Sequence, residues 1–144
     1  MSDALEKRQA IARQFIEAIP HCHALGMSLE SVGFGEAVLS MPYDERFVGD
    51  PATGVIHGGA VSALMDTCSG AAVMSHADGP VATATIDLRI DYMRPATPEQ
   101  RITATASVYH ITRTVAFVRA TATDDDLDHP VATATGAFTV GGKS

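Results

Sequence analysis

Apolar residues recur at helical spacing near the start of this chain and alternate strictly with polar ones through its second half. Leu5, Ala12, Phe15, Ile16 and Ile19 share one helical face, Asp3 and Glu6 have capping-box spacing, and Pro20 cannot continue the turn. That pattern predicts an amphipathic helix within residues 1–20. From about Met27 to Met41 the pattern is extended, with Gly33 and Gly35 marking a hairpin turn. Arg46 to Ile56 holds Gly, Pro and Asp without a period and reads as a loop.

A second helix is predicted over 58–77. Val61, Leu64, Met65, Cys68, Ala71, Ala72, Val73 and Met74 make it apolar nearly all round, the pattern of a helix buried on every side. Polar residues interrupt it and Asp78-Gly79-Pro80 follows, so it is a poor membrane span. After Pro80 the period becomes two. Ile86, Leu88, Ile90 and Tyr92 alternate with Thr85, Asp87, Arg89 and Asp91. Runs at 102–108, 116–122 and 132–138 behave alike, and short turns between them imply an antiparallel meander.

Composition sharpens this outline. The chain has 144 residues, which fits one domain over 1–144. It has 23 Ala and 14 Thr, and the strand positions that should face a helix carry Ala rather than Leu. Small side chains allow a twisted sheet to close around a long central helix, an α+β arrangement. The net charge of −7 argues against nucleic-acid and anionic-membrane partners, which need a dense cationic footprint. Two cysteines are too few for a disulfide framework, and the charged Ser2–Arg13 stretch is unlike a signal peptide, so a cytoplasmic protein is expected.

Asp66 is the only acidic or basic side chain between His57 and His76, apart from the Cys68 thiol. A carboxylate buried there must find a partner or shift its pKa upward, which makes it a candidate general base or nucleophile. Before it, Gly54-Val55-Ile56-His57-Gly58-Gly59 places two glycines at the helix N-terminus. Backbone N–H groups there lack intrahelical partners and suit a developing oxyanion. Gly58 and Asp66 lie eight residues apart, roughly 12 Å along one helix. Reacting atoms must approach to about 3 Å, so one helix cannot bring both groups to one carbonyl. Two antiparallel copies related by a two-fold axis can. An active site at a homodimer interface is therefore expected.

These residues resemble the hotdog-fold acyl-CoA thioesterases of the phenylacetate-degradation (PaaI-like) type, over about 25–140. The shared pattern is Gly54-x-x-His57-Gly58-Gly59-x-x-x-x-Leu64-x-Asp66, then Thr85-x-Asp87-Leu88-x-Ile90-x-Tyr92-x-Arg94-Pro95-Ala96. The resemblance implies hydrolysis of thioesters of small or aromatic acyl groups, with coenzyme A entering only as part of the substrate. It implies no metal and no other cofactor, and homodimers that pair into homotetramers. By position Asp66 becomes general base or nucleophile, the Gly58 amide polarises the carbonyl, His57 shapes that pocket and Thr85 helps to place water. Gly59 lies beside the substrate. The family commonly has Asn or Gln six residues before the His; here that position is Pro51, and Asp50 stands next to it without an amide to donate. Two other readings follow: an acyl-CoA binding or sensor module without catalysis, and a hotdog dehydratase or hydratase.

The remaining features carry less. His21-Cys22-His23 has metal-binding residue types but no further ligand cluster at finger-like spacing. Asp124-Asp125-Asp126 lacks the Gly and Glu of a calcium loop and reads as a solvated turn. Cys68, on the apolar helix, reads as an inert small hydrophobe. Among Arg89, Arg94, Arg113 and Lys143, the strand-end Arg94 and the turn residue Arg113 are the chosen contacts for coenzyme A phosphates.

Overall fold

The computed structural model describes residues 3–80 and 82–141; Lys143 and Ser2 lie outside them. Helix α1 (Asp3–Glu17) stops short of Pro20. Ile19 turns extended, and Pro20 opens a second short helix, α2 (Pro20–Ala24), at the first helical position, where its missing N–H costs nothing. The His-Cys-His run therefore lies on α2, with Cys22 buried and both histidines exposed.

Strands β1 (Ser28–Gly33) and β2 (Glu36–Met41) form the expected hairpin. The stretch read as a loop holds a 3-10 turn at Glu45–Phe47 and a ribbon of β3 (Val48–Asp50) with β4 (Val55–Ile56). Strands that short leave no period to read. The central helix α3 spans Gly58–Ser75, and β5 (Thr85–Tyr92), β6 (Ile102–Ile111), β7 (Val115–Thr123) and β8 (Ala132–Thr139) follow. Six strands make one antiparallel sheet in the order β1-β2-β6-β7-β8-β5. Strand β5 crosses to the far edge and pairs with β8 on one side only.

The register explains the alanines. Ala37, Ala106, Ala120 and Ala134 stand opposite one another across four strands, as do Leu39, Ala104, Ala122 and Ala132. All eight are buried against α3. With little beyond Cβ between helix and sheet, the Cys68 thiol comes within 3.3 Å of the Ala37 carbonyl and 3.4 Å of the Ala104 carbonyl. Burial pushes that thiol up to about 12, so Cys68 is the inert packing residue expected. A larger residue in either row would force α3 off the sheet.

Helix α3 departs from the reading in one respect. Its residues Val61, Leu64, Met65 and Cys68–Ser75 are buried, but Gly59 is exposed and Ser62, Ala63, Asp66 and Thr67 are half-buried. These positions recur at three and four residues and form one stripe that the single chain leaves uncovered.

Candidate active site

The chain enters α3 through a tight crossing. Gly49 lies so close to His57 that a Cβ there would stand 2.8 Å from the His57 Cα. The His57 amide donates to the Phe47 carbonyl at 2.8 Å. His57 caps α3: its Nδ1 accepts the Gly59 amide at 2.7 Å. Nδ1 must be unprotonated to accept, which puts the ring proton of a neutral His57 on Nε2. Gly59 was expected beside substrate as a second donor, yet its N–H is taken by this cap. The Gly58 N–H finds no acceptor among the described residues and remains the available amide at the N-terminus, where the helix dipole favours negative charge.

Tyr92 supports Gly58 from behind. Its hydroxyl donates to the Gly58 carbonyl at 2.8 Å, and the Ser62 hydroxyl lies against both groups, 3.1 Å from that carbonyl. Neither role was read from the sequence. Ser62 lies one turn beyond Gly58, but Tyr92 arrives only because β5 runs antiparallel to α3.

The other end of β5 reaches Asp66. Thr85 donates its hydroxyl to Asp66 Oδ1 at 2.7 Å, joining two residues the sequence reading had named separately. Asp66 is half-buried rather than enclosed, and its carboxylate has a hydrogen-bond partner. Its Oδ2 carries no hydrogen bond among the described residues, and Asp66 lines a cavity of about 250 Å³.

Two further candidates do different work. Asp50 closes its own loop: Oδ1 accepts the Ala52 amide at 3.1 Å and Oδ2 the Thr53 hydroxyl at 2.8 Å. Arg94 is mostly engaged within the chain. Its guanidinium binds both oxygens of Asp124 at 2.7 and 2.6 Å, its Nε donates to the His129 carbonyl at 2.9 Å and its Nη1 to the Pro95 carbonyl at 3.3 Å, which leaves one Nη2 N–H for a further acceptor. Asp124 is likewise no solvated turn residue but buried, and the guanidinium holds its carboxyl far below the usual range. Arg113 stays exposed in the β6–β7 turn. That turn lies at the Asp66 end of β5, because the Thr114 carbonyl accepts from Val140 and the Ala84 carbonyl from Thr139. Arg89 pairs with Asp91 at 3.2 Å.

Residues 53–130 match the model of the thioesterase superfamily, more than half of the chain. The chain belongs to the thioesterase superfamily. The medium/long-chain acyl-CoA thioesterase YigI of Escherichia coli is 31% identical over an alignment covering 98% of this chain and 100% of that protein. A candidate esterase of Halobacterium salinarum is 43% identical over 94 residues, which make up 63% of this chain and 61% of that protein. The E. coli PaaI protein, from the phenylacetic acid degradation operon, superimposes with a TM-score of 0.86 over 96% of each chain at 24% identity. This thioesterase therefore has the hotdog fold, a six-stranded antiparallel sheet wrapped around a central helix. No helix among its described residues is long and apolar enough to cross a membrane.

Proposed function

We propose that this thioesterase hydrolyses acyl-CoA thioesters of small or aromatic acyl groups, with Asp66 as general base. The observation that carries this reading is the Thr85–Asp66 bond, which fixes one carboxylate oxygen and leaves the other unbonded on a residue that lines a cavity. Water held at Oδ2 loses its proton to Asp66 as it attacks the carbonyl carbon. The oxyanion forms against a Gly58 amide, the C–S bond breaks, and the thiolate recovers a proton as free coenzyme A. Following oxygen-18 from water through a single turnover tests the route. Label is expected in the released acid alone; label in the Asp66 carboxylate would mean direct attack.

The uncovered stripe of α3 supports a two-chain site. Gly59 and Asp66 lie on it, and a two-fold axis across it sets Gly58 of one copy beside Asp66 of the other. Strand β5, paired on one side only and exposing Ile86, Tyr92 and Met93, offers an edge next to that axis. We read the assembly as a cytoplasmic homodimer, two of which form a tetramer. Arg113 is the less engaged of the two chosen phosphate contacts.

Gly58→Pro isolates the amide. Proline is tolerated at the first helical position, and His57 already has φ −59° and ψ 135°, the extended form that a following proline requires. The variant is expected to fold and to lose about a hundredfold or more in kcat. Mixed with an Asp66→Asn chain under subunit exchange, it should regain about a quarter of native activity, because half the dimers then hold one complete site. Two inactive variants that stay inactive together would place both groups in one chain.

Tyr92→Phe probes the support behind Gly58. Losing one hydrogen bond of about 1 kcal/mol should lower kcat about fivefold while the melting temperature stays near native. An equal loss for every thioester, with unchanged KM, identifies positioning rather than substrate contact.

A further inference from the structure

Beside the Asp66–Thr85 pair the cavity runs under α1, where Phe15 and Ile19 form its roof. Gly70 lies one turn beyond Asp66 on α3, so it shares the same face, about 6 Å further along the axis. The Phe15 ring is seated directly on it: a Cβ at Gly70 would stand 3.2 Å from the Phe15 Cζ, with the buried Phe138 ring behind. Glycine here is what lets an aromatic ring close the end of the cavity.

Helix α1 holds that ring in place. Gln9 donates to the Val32 carbonyl at 2.9 Å, and Arg8 reaches the Met74 and Ala77 carbonyls at the C-terminal end of α3 at 3.4 and 3.5 Å. The buried faces of Ala12 and Ile16 pack inward. Phe15 is thus a fixed wall.

We infer that Phe15, seated on Gly70, ends the acyl pocket and restricts this thioesterase to short or single-ring acyl groups. The inference rests on the hydrolase reading above and adds its size determinant. The end under α1 takes the acyl group and not the coenzyme A arm, because His21 is its one basic side chain and no Arg or Lys lines it, whereas an arm carrying phosphates needs cations. At about 250 Å³ the space lies below the ~300–1,000 Å³ of common ligand sites and suits a small group, with Phe15, Ile19 and Phe138 as its apolar side and His21, Thr67 and Thr83 among its polar lining.

The test compares kcat/KM by thiol release for butyryl-, benzoyl- and decanoyl-CoA. The native enzyme should favour butyryl or benzoyl over decanoyl by at least about tenfold. Phe15→Ala should raise the decanoyl-to-butyryl ratio about tenfold or more, and Ile19→Ala should move it the same way by less. Ala84, exposed at the cavity, gives a variant that leaves the core alone: Ala84→Phe should lower the benzoyl-to-butyryl ratio about tenfold. Ratios that stay native in these variants, or a native preference for decanoyl, overturn the pocket assignment while the hydrolase reading stands. A native enzyme that releases no thiol from any of the three overturns both.

Discussion

Asp66→Asn is expected to lower kcat for acyl-CoA hydrolysis by at least a factor of about a hundred, with the fold and the melting temperature nearly unchanged. The amide keeps an oxygen for the Thr85 hydroxyl, which now lies 2.7 Å from Oδ1, so the α3–β5 contact survives. What disappears is the basic carboxylate at the cavity, and general-base catalysis is worth about 10²–10⁴. Because Asp66 is half-buried, its replacement creates no cavity and exposes no unpaired charge. A steady-state assay and a thermal melt on the same preparation separate the two effects. Turnover within a factor of two of native would remove Asp66 from the chemistry. Thr85→Ala is the graded companion, since it leaves the base in place and only frees its orientation.

The largest stability effect should come from Asp124, well away from those groups. Its carboxylate is fully enclosed, whereas the Arg94 side chain is a quarter exposed, and it also accepts the Thr97 and Asp126 amides at 3.0 and 3.1 Å. Asp124→Ala strands the guanidinium and two amides at once. Removing one partner of a buried pair costs about 3–5 kcal/mol, which should lower the melting temperature by about 10 °C. The pH dependence has a definite sign. The folded carboxyl ionises well below its unfolded value because the guanidinium beside it favours the charged form. Its contribution is therefore complete above the unfolded value of about 3.9 and is lost as pH falls from there toward the folded value. Urea melts at falling pH should show native stability dropping below about pH 4, with a shallower drop in Asp124→Asn. Equal slopes would mean that the pair does not govern acid stability.

Arg94 and Asp124 show where reading residues one at a time stops. Thirty positions separate them, and an acidic triplet between strands has the composition of a solvated turn whether or not one of its members is enclosed. The distinction depends on the strand-end bend that carries Arg94 across to it. Asp50 is similar: its spacing from His57 suggests substrate, yet both its oxygens accept hydrogen bonds from within its own loop.

The alternation of Ala and Thr determined the sheet faces, and the apolar run after Gly58 determined which helix lies beneath them. Both are local periodicities, fixed by how side chains project from a strand or a helix. The eight-residue gap between Gly58 and Asp66 likewise determined how far apart the two groups stand on one helix, since helical rise follows from backbone geometry alone. Tertiary structure decided the rest. It laid β5 antiparallel to α3, bringing Thr85 to Asp66 and Tyr92 to Gly58, and it seated Phe15 on Gly70. Those contacts join residues 19 to 55 positions apart, where no repeat links the partners and only the packing of one element against another sets the distance.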